Sequence, residues 1–186
     1  MGADETMNRH RFSTDDYHRM GEAGILGPDD RVELIEGEII RMAPIGGPHV
    51  GIVNTLATLF ARQLFGRAVV SVQNPVVLPP YSEPQPDLAL LKWEMFKQPL
   101  VPGAADVLLV VEVAQSSLTY DRDIKVGVYA RHGIPETWLI DVANRTTHVF
   151  RNPTTEGYRD AFGATPADTI APQLLPDVTI ALADLW

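Results

Sequence analysis

Five apolar residues in succession, Val107 to Val111, run directly into Glu112. A strand with one wet face alternates apolar and polar residues, so an unbroken apolar run of this length is a strand covered on both faces. The chain must therefore place a layer on each side of its sheet. Glu112 adds a second constraint, because an unpaired carboxylate buried in such a strand costs several kcal/mol or keeps its proton. Something that favours the negative charge must stand at the end of the most buried strand.

The flanking sequence supplies the layers. Ile52, Val53, Leu56, Leu59, Phe60 and Ala61 recur at helical spacing, which predicts a helix over 51–64 with one face on the core. FSTDDYHRMGEAGIL reads as a short helix capped by Ser13 or Thr14, with acids in its first turn and Gly24 as its stop. RVELIEGEIIRM reads as a hairpin turning at Glu36 and Gly37, and AVVSVQNPVVLPP is β-rich. Behind Pro84 and Pro86 a strand begins near Asp87. TYDRDIKVGVYARHG reads as a helix capped by Thr119 or Asp121, with Ile124 and Val128 on one face and Gly133 past its end. ETWLIDVA is the next strand, and the order strand, helix, strand implies a crossover with parallel pairing. A last hairpin turns between Asn152 and Gly157, and LLPDVTIALADLW closes with a strand and a helical turn. The fold class is mixed α/β (α+β), as one domain over 12–186 behind a flexible N-terminus, 1–11. With 186 residues, 45% of them hydrophobic, such a domain buries roughly 70% of its unfolded surface.

Composition removes several functions. There is no cysteine, hence no disulfide framework, thiolate zinc site or cysteine nucleophile. No signal-like segment or membrane-length apolar run is present, and a soluble cytoplasmic protein is expected. The net charge of −9 opposes nonspecific nucleic-acid binding unless acids gather in a cation site or basic residues cluster locally.

Asp87 starts one strand and Glu112 ends the next long apolar one, so antiparallel pairing would set the two carboxylates side by side. Their repulsion is relieved by a hard divalent cation between them, Mg2+ or Mn2+. Lys125, early on the following helix, could return to the strand end and stabilise charge on a phosphate. Plainer roles stand beside these: a Glu112–Lys125 salt bridge, Asp87 bonded to local backbone, or Lys125 paired with Asp121 four residues earlier. Gln73, in a strand close to Asp87, could touch a substrate, and His49 reads as a local cap.

These residues resemble a known family. Asp87 behind Pro86, the Glu112 strand and a following lysine are similar to the PD-(D/E)XK nuclease superfamily. More narrowly, ELIEGEIIRMAP, PHVGIVNTLATLF, QPDLALL, VVEVAQSS, YDRDIKVGVYARHGIPETWLID and LLPDVTIALADLW resemble, in order, the Uma-two family of endonucleases. The resemblance implies a restriction endonuclease-like core, a central mixed β-sheet flanked by helices with an N-terminal helix and hairpin. It implies Asp87 and Glu112 as metal ligands, Lys125 as the active-site lysine, and Glu38, of the Gly37–Glu38 pair, as an additional ligand. The superfamily places its lysine two residues after the second acid, where this chain has Ala114, so the lysine is expected to have moved to the helix. The implied activity is Mg2+- or Mn2+-dependent cleavage of DNA, with a homodimer for cutting two strands. The alternatives are a degenerate member that binds or supports without turnover, and a metal-dependent hydrolase of small phosphate esters.

Overall fold

A computed structural model of the protein describes residues 9–27 and 29–186. The expected flexible N-terminus falls mostly on residues 1–8, outside the described residues; Arg9 and Arg11 contact the hairpin through Glu38 and the Glu36 carbonyl.

Helix α1 (Thr14–Glu22) starts where Ser13 and Asp16 close a capping box, each side chain accepting from the other's backbone N–H. Strands β1 (Val32–Ile35) and β2 (Glu38–Arg41) form the expected hairpin. Its turn needs two left-handed residues, supplied by Glu36 (φ 50°) and Gly37 (φ 86°). A Cβ at Gly37 would also lie 2.5 Å from the Arg11 Cβ, so the chain crosses there only over glycine. Helix α2 (Gly47–Leu64) begins four residues earlier than its apolar spacing suggests, because Pro48 is favourable in a first turn. Ile52, Val53, Leu56, Phe60 and Leu64 are buried along it, while Ala61 faces solvent, correcting its place in the apolar stripe.

The central sheet has six strands in the order β3 (Ala68–Val72), β4 (Leu88–Lys92), β5 (Val107–Ala114), β6 (Glu136–Asp141), β7 (Thr146–Thr154) and β8 (Gly157–Ala164). Only β5 and β6 pair in parallel, as their helical crossover requires; the other neighbours are antiparallel. Two residue pairs, β9 (Thr169–Ile170) and β10 (Ile180–Ala181), make a small separate sheet. As the apolar run of β5 demands, both faces are covered. On one, α2 and the C-terminal segment pack Leu56, Phe60, Val178 and Leu185 against Leu109, Val111 and Trp138. On the other, Val128, Tyr129 and Ile134 pack with Ile35, Val76 and Leu78 against Ala89 and Val110.

The crossover is helical from 118 to 131 but not uniformly α. A turn α3 (Leu118–Tyr120) passes through a π-helical turn (Asp121–Lys125) into α4 (Val126–Arg131), and Gly133 follows at φ 75°. Ser117 occupies the N-cap position, not Thr119 or Asp121. The wider π turn also separates the faces expected to coincide: Ile124 is 37% exposed and Val128 1%.

Candidate active site

Antiparallel pairing of β4 and β5 sets Leu88 opposite Val111, which brings Asp87 to the level of Glu112. Here the sheet opens into a cavity of about 410 Å3, whose lining includes Glu33, His49, Asp87, Glu112, Asp121 and Lys125. Asp87 is held from two sides. Its Oδ2 accepts the Val113 N–H at 2.8 Å, and its Oδ1 lies 2.9 Å from His49 Nε2. Gln73, with φ 52°, donates its backbone N–H to the Asp87 carbonyl and its amide to Oδ1 at 3.5 Å.

Glu112 shares its face of β5 with the crossover helix. Lys125 Nζ lies 2.7 Å from its Oε1, and the buried Tyr129 hydroxyl donates to the same oxygen at 2.5 Å. Among the described residues, every side-chain partner of Glu112 reaches Oε1, which leaves Oε2 for another ligand. Lys125 Nζ also lies 3.1 Å from Glu33 Oε2, and all three of these charged groups are buried. The surface pairing of Lys125 with Asp121 is thereby excluded. Asp121 turns inward too, accepting from the Ser117 hydroxyl.

The charges are out of balance. Glu33, Asp87, Glu112 and Asp121 gather round one buried lysine, and the titration of Glu112, Asp121 and Lys125 shows the strain. Burial pushes the Glu112 carboxyl up to about 8; Lys125 opposes the rise, and Asp121, Asp87 and Glu33 add to it. Asp121 is raised chiefly by burial as well, against the pull of Lys125. For Lys125, burial works downward, but Glu112, Glu33 and Asp121 outweigh it and hold the ammonium above its ordinary range. The Tyr120 hydroxyl is pushed up to about 12 by burial, with Glu33 adding to it.

The structure thus gathers Asp87, Glu112 and Lys125 round one cavity, with Gln73 against Asp87. Glu38 is elsewhere: it is exposed on β2, 3.1 Å from Arg9, and does not line the cavity. The hairpin acid that reaches the site is Glu33. Sequence reasoning missed it although the signal was the one that singled out Glu112, an acid inside an apolar strand, here VELI. His49, read as a local cap, instead meets Asp87, because its place depends on where α2 begins; Asp121, read as a helix cap, lies in the π turn and lines the cavity.

A hard cation suits these donors in a limited way. Among the described residues no three His, Asp or Glu side chains converge closely enough to hold an ion by themselves. Two carboxylates at adjoining strand ends are nevertheless what Mg2+ commonly takes from a protein, with water and substrate phosphate completing its octahedron. The excess of negative charge and the free Oε2 of Glu112 fit the same ion.

No curated protein matches the chain. A crystal structure from Anabaena variabilis, described as a “putative nuclease belonging to DUF820”, is similar over 94% of this chain and 97% of its own, with TM-score 0.73 and 16% identity. At that identity the likeness is one of fold, the six-stranded mixed sheet flanked by helices. The family profile of Uma2, described as “Putative restriction endonuclease”, matches residues 14–183, and the chain belongs to this family.

Proposed function

We propose that the protein is a Mg2+- or Mn2+-dependent endonuclease that hydrolyses phosphodiester bonds of DNA, acting in the cytoplasm and as a two-fold pair where both strands are cut. The observation that carries this reading is the 2.7 Å approach of Lys125, from a helix, to Glu112. It brings a cation to the acid beside which the superfamily's strand lysine would stand, where this chain has Ala114. Family membership and the nuclease-like fold support the same reaction class.

Asp87 and Glu112 would hold the ion; when bound, it supplies Lewis acidity toward a phosphate oxygen and acidifies water. The protein's own groups do the rest. Val113 N–H and His49 fix the direction of the Asp87 carboxylate. Tyr129 holds Glu112 by Oε1. The Lys125 ammonium sets a fixed positive charge beside the cavity, where it stabilises the charge that gathers on phosphate oxygens as the water oxygen bonds to phosphorus and the ester oxygen leaves. Arg31 and Arg41 at the lining give an acidic chain local positive charge for a polyanion.

The test is calorimetric titration with Mn2+, followed by cleavage assays on single-stranded DNA, double-stranded DNA and a small phosphate ester. Cation binding with cutting of DNA is the expected result; absence of cation binding overturns the reading, and cutting of the small ester alone replaces it with a phosphoesterase. The self-contained Glu33–Lys125–Glu112 network supports a second reading, a member that binds nucleic acid without cutting. That reading predicts DNA binding indifferent to Mn2+.

A further inference from the structure

A lysine on the same strand as its acid is positioned by the strand. A lysine moved to a helix is not, and it must order the rotatable bonds of a long, flexible stem. Its contact with Glu112 is an incomplete anchor, because under the proposed function that carboxylate also turns to the metal. The structure provides a second one. Glu33 is 5% exposed in β1, and its Oε2 takes both Lys125 Nζ, at 3.1 Å, and the Gln85 N–H, at 3.1 Å. Gln85 stands two residues before Asp87, on the segment that delivers Asp87 to the cavity. One carboxylate oxygen therefore ties the lysine to the chain that carries the first acid.

The geometry points to Glu33 as the positioning residue for Lys125: it holds the ammonium at the cavity independently of Glu112 and sets its place relative to Asp87. The hairpin is then part of the active site through a residue that acts on Lys125. Burial of the pair agrees with a fixed geometry, since the two side chains are only 5% and 6% exposed. This inference rests on the proposed function for its catalytic part, and its structural part is tested without turnover.

Lys125 is one of three lysines in the chain, with Lys92 and Lys97, so 15N-lysine labelling gives three ammonium signals to assign. In the metal-free protein, Glu33→Gln keeps an acceptor for Gln85 and removes the charge; the Lys125 signal is expected to shift and lose protection from solvent exchange. Added Mg2+ is expected to leave that signal protected in the parent and to abolish its protection in Glu33→Gln. In cleavage assays Glu33→Gln is expected to lower kcat by roughly 10², comparable to loss of one charge-stabilising group, with KM and Mn2+ affinity within a few fold. In a Lys125→Met background the same change is expected to add nothing. Glu33→Asp, which keeps the charge and withdraws it, is expected to fall between parent and Glu33→Gln and serves where the amide variant does not fold. An unmoved Lys125 signal in both variants overturns the positioning role, as does full additivity with Lys125→Met. If the parent neither binds Mn2+ nor cuts, the proposed function fails, and the exchange protection of Lys125 still decides whether Glu33 holds it.

Discussion

Glu112 and Lys125 are the residues on which two accounts of the site divide. As a salt bridge alone, the pair is self-sufficient and its loss is a loss of stability. As part of a metal site, Glu112 is a ligand and Lys125 a charge held in reserve for the transition state. Glu112→Gln keeps shape and removes charge. It is expected to weaken Mn2+ binding at least tenfold by calorimetry and to lower cleavage in parallel, with the fold retained because Glu33 still pairs Lys125. An unchanged titration would sink the ligand role. Lys125→Met keeps the length of the stem. Mn2+ and substrate affinity are expected to stay within a few fold while the cleavage rate falls by roughly 10²; equal rates in parent and variant would remove Lys125 from the mechanism.

At the scale of elements, the crossover after β5 decides the site. Asp121 and Lys125, four residues apart within its π turn, share the inward face, while Ile124 lies outside. The helix that carries this turn is stopped by Gly133, whose φ of 75° is strained for any residue with a Cβ. A Cβ there meets nothing within 4 Å, so the penalty of Gly133→Ala is conformational alone. The variant is expected to lose about 1 kcal/mol in denaturant unfolding with Mn2+ affinity unchanged. A loss of affinity instead would mean that the helix end and the cavity move together.

For the whole molecule, the buried carboxylates couple folding to pH and, under the proposed function, to a divalent cation. The Glu112 carboxyl is raised to about 8 in the folded state from an ordinary 4.5, so the folded form binds the proton more tightly. Its contribution to stability is fully present below about 4.5 and is lost as pH rises through 8. Under the proposed function a divalent cation would replace that proton, and its stabilisation should grow over the same interval. Melting with and without Mg2+ is therefore expected to show a larger rise in Tm at pH 8.5 than at pH 6.0. The Glu112→Gln variant should lose this difference. An equal rise at both values in the parent would assign the cation to a site away from Glu112. Among the described residues no helix is long and apolar enough to cross a membrane.

Much of this architecture was legible in the sequence because it follows from local patterns. The apolar run of β5 requires two covering layers, Ser13 and Asp16 start a helix, and Glu36–Gly37 turn a hairpin. The strand–helix–strand order implies the one parallel pair. That Asp87, Glu112 and Lys125 would meet was likewise open to reading, from the antiparallel pairing that sets Asp87 level with Glu112 and from a lysine on the following helix. What tertiary structure alone decided was which charge meets which. Glu33 and Glu38 lie on one hairpin, five residues apart, yet one is buried against Lys125 and the other exposed beside Arg9. The two acids share a face of the hairpin, since Glu33 pairs with Ile40 and Ile35 with Glu38; what separates them is that β1 is the inner strand, bridged through Leu34 to Glu83, and β2 the outer one. His49 and Asp121 depend on the start of one helix and the pitch of another, where a shift of one residue turns a side chain by about 100° and so from solvent to cavity. Local pattern determines elements; the pairing of buried charges is a property of how those elements dock.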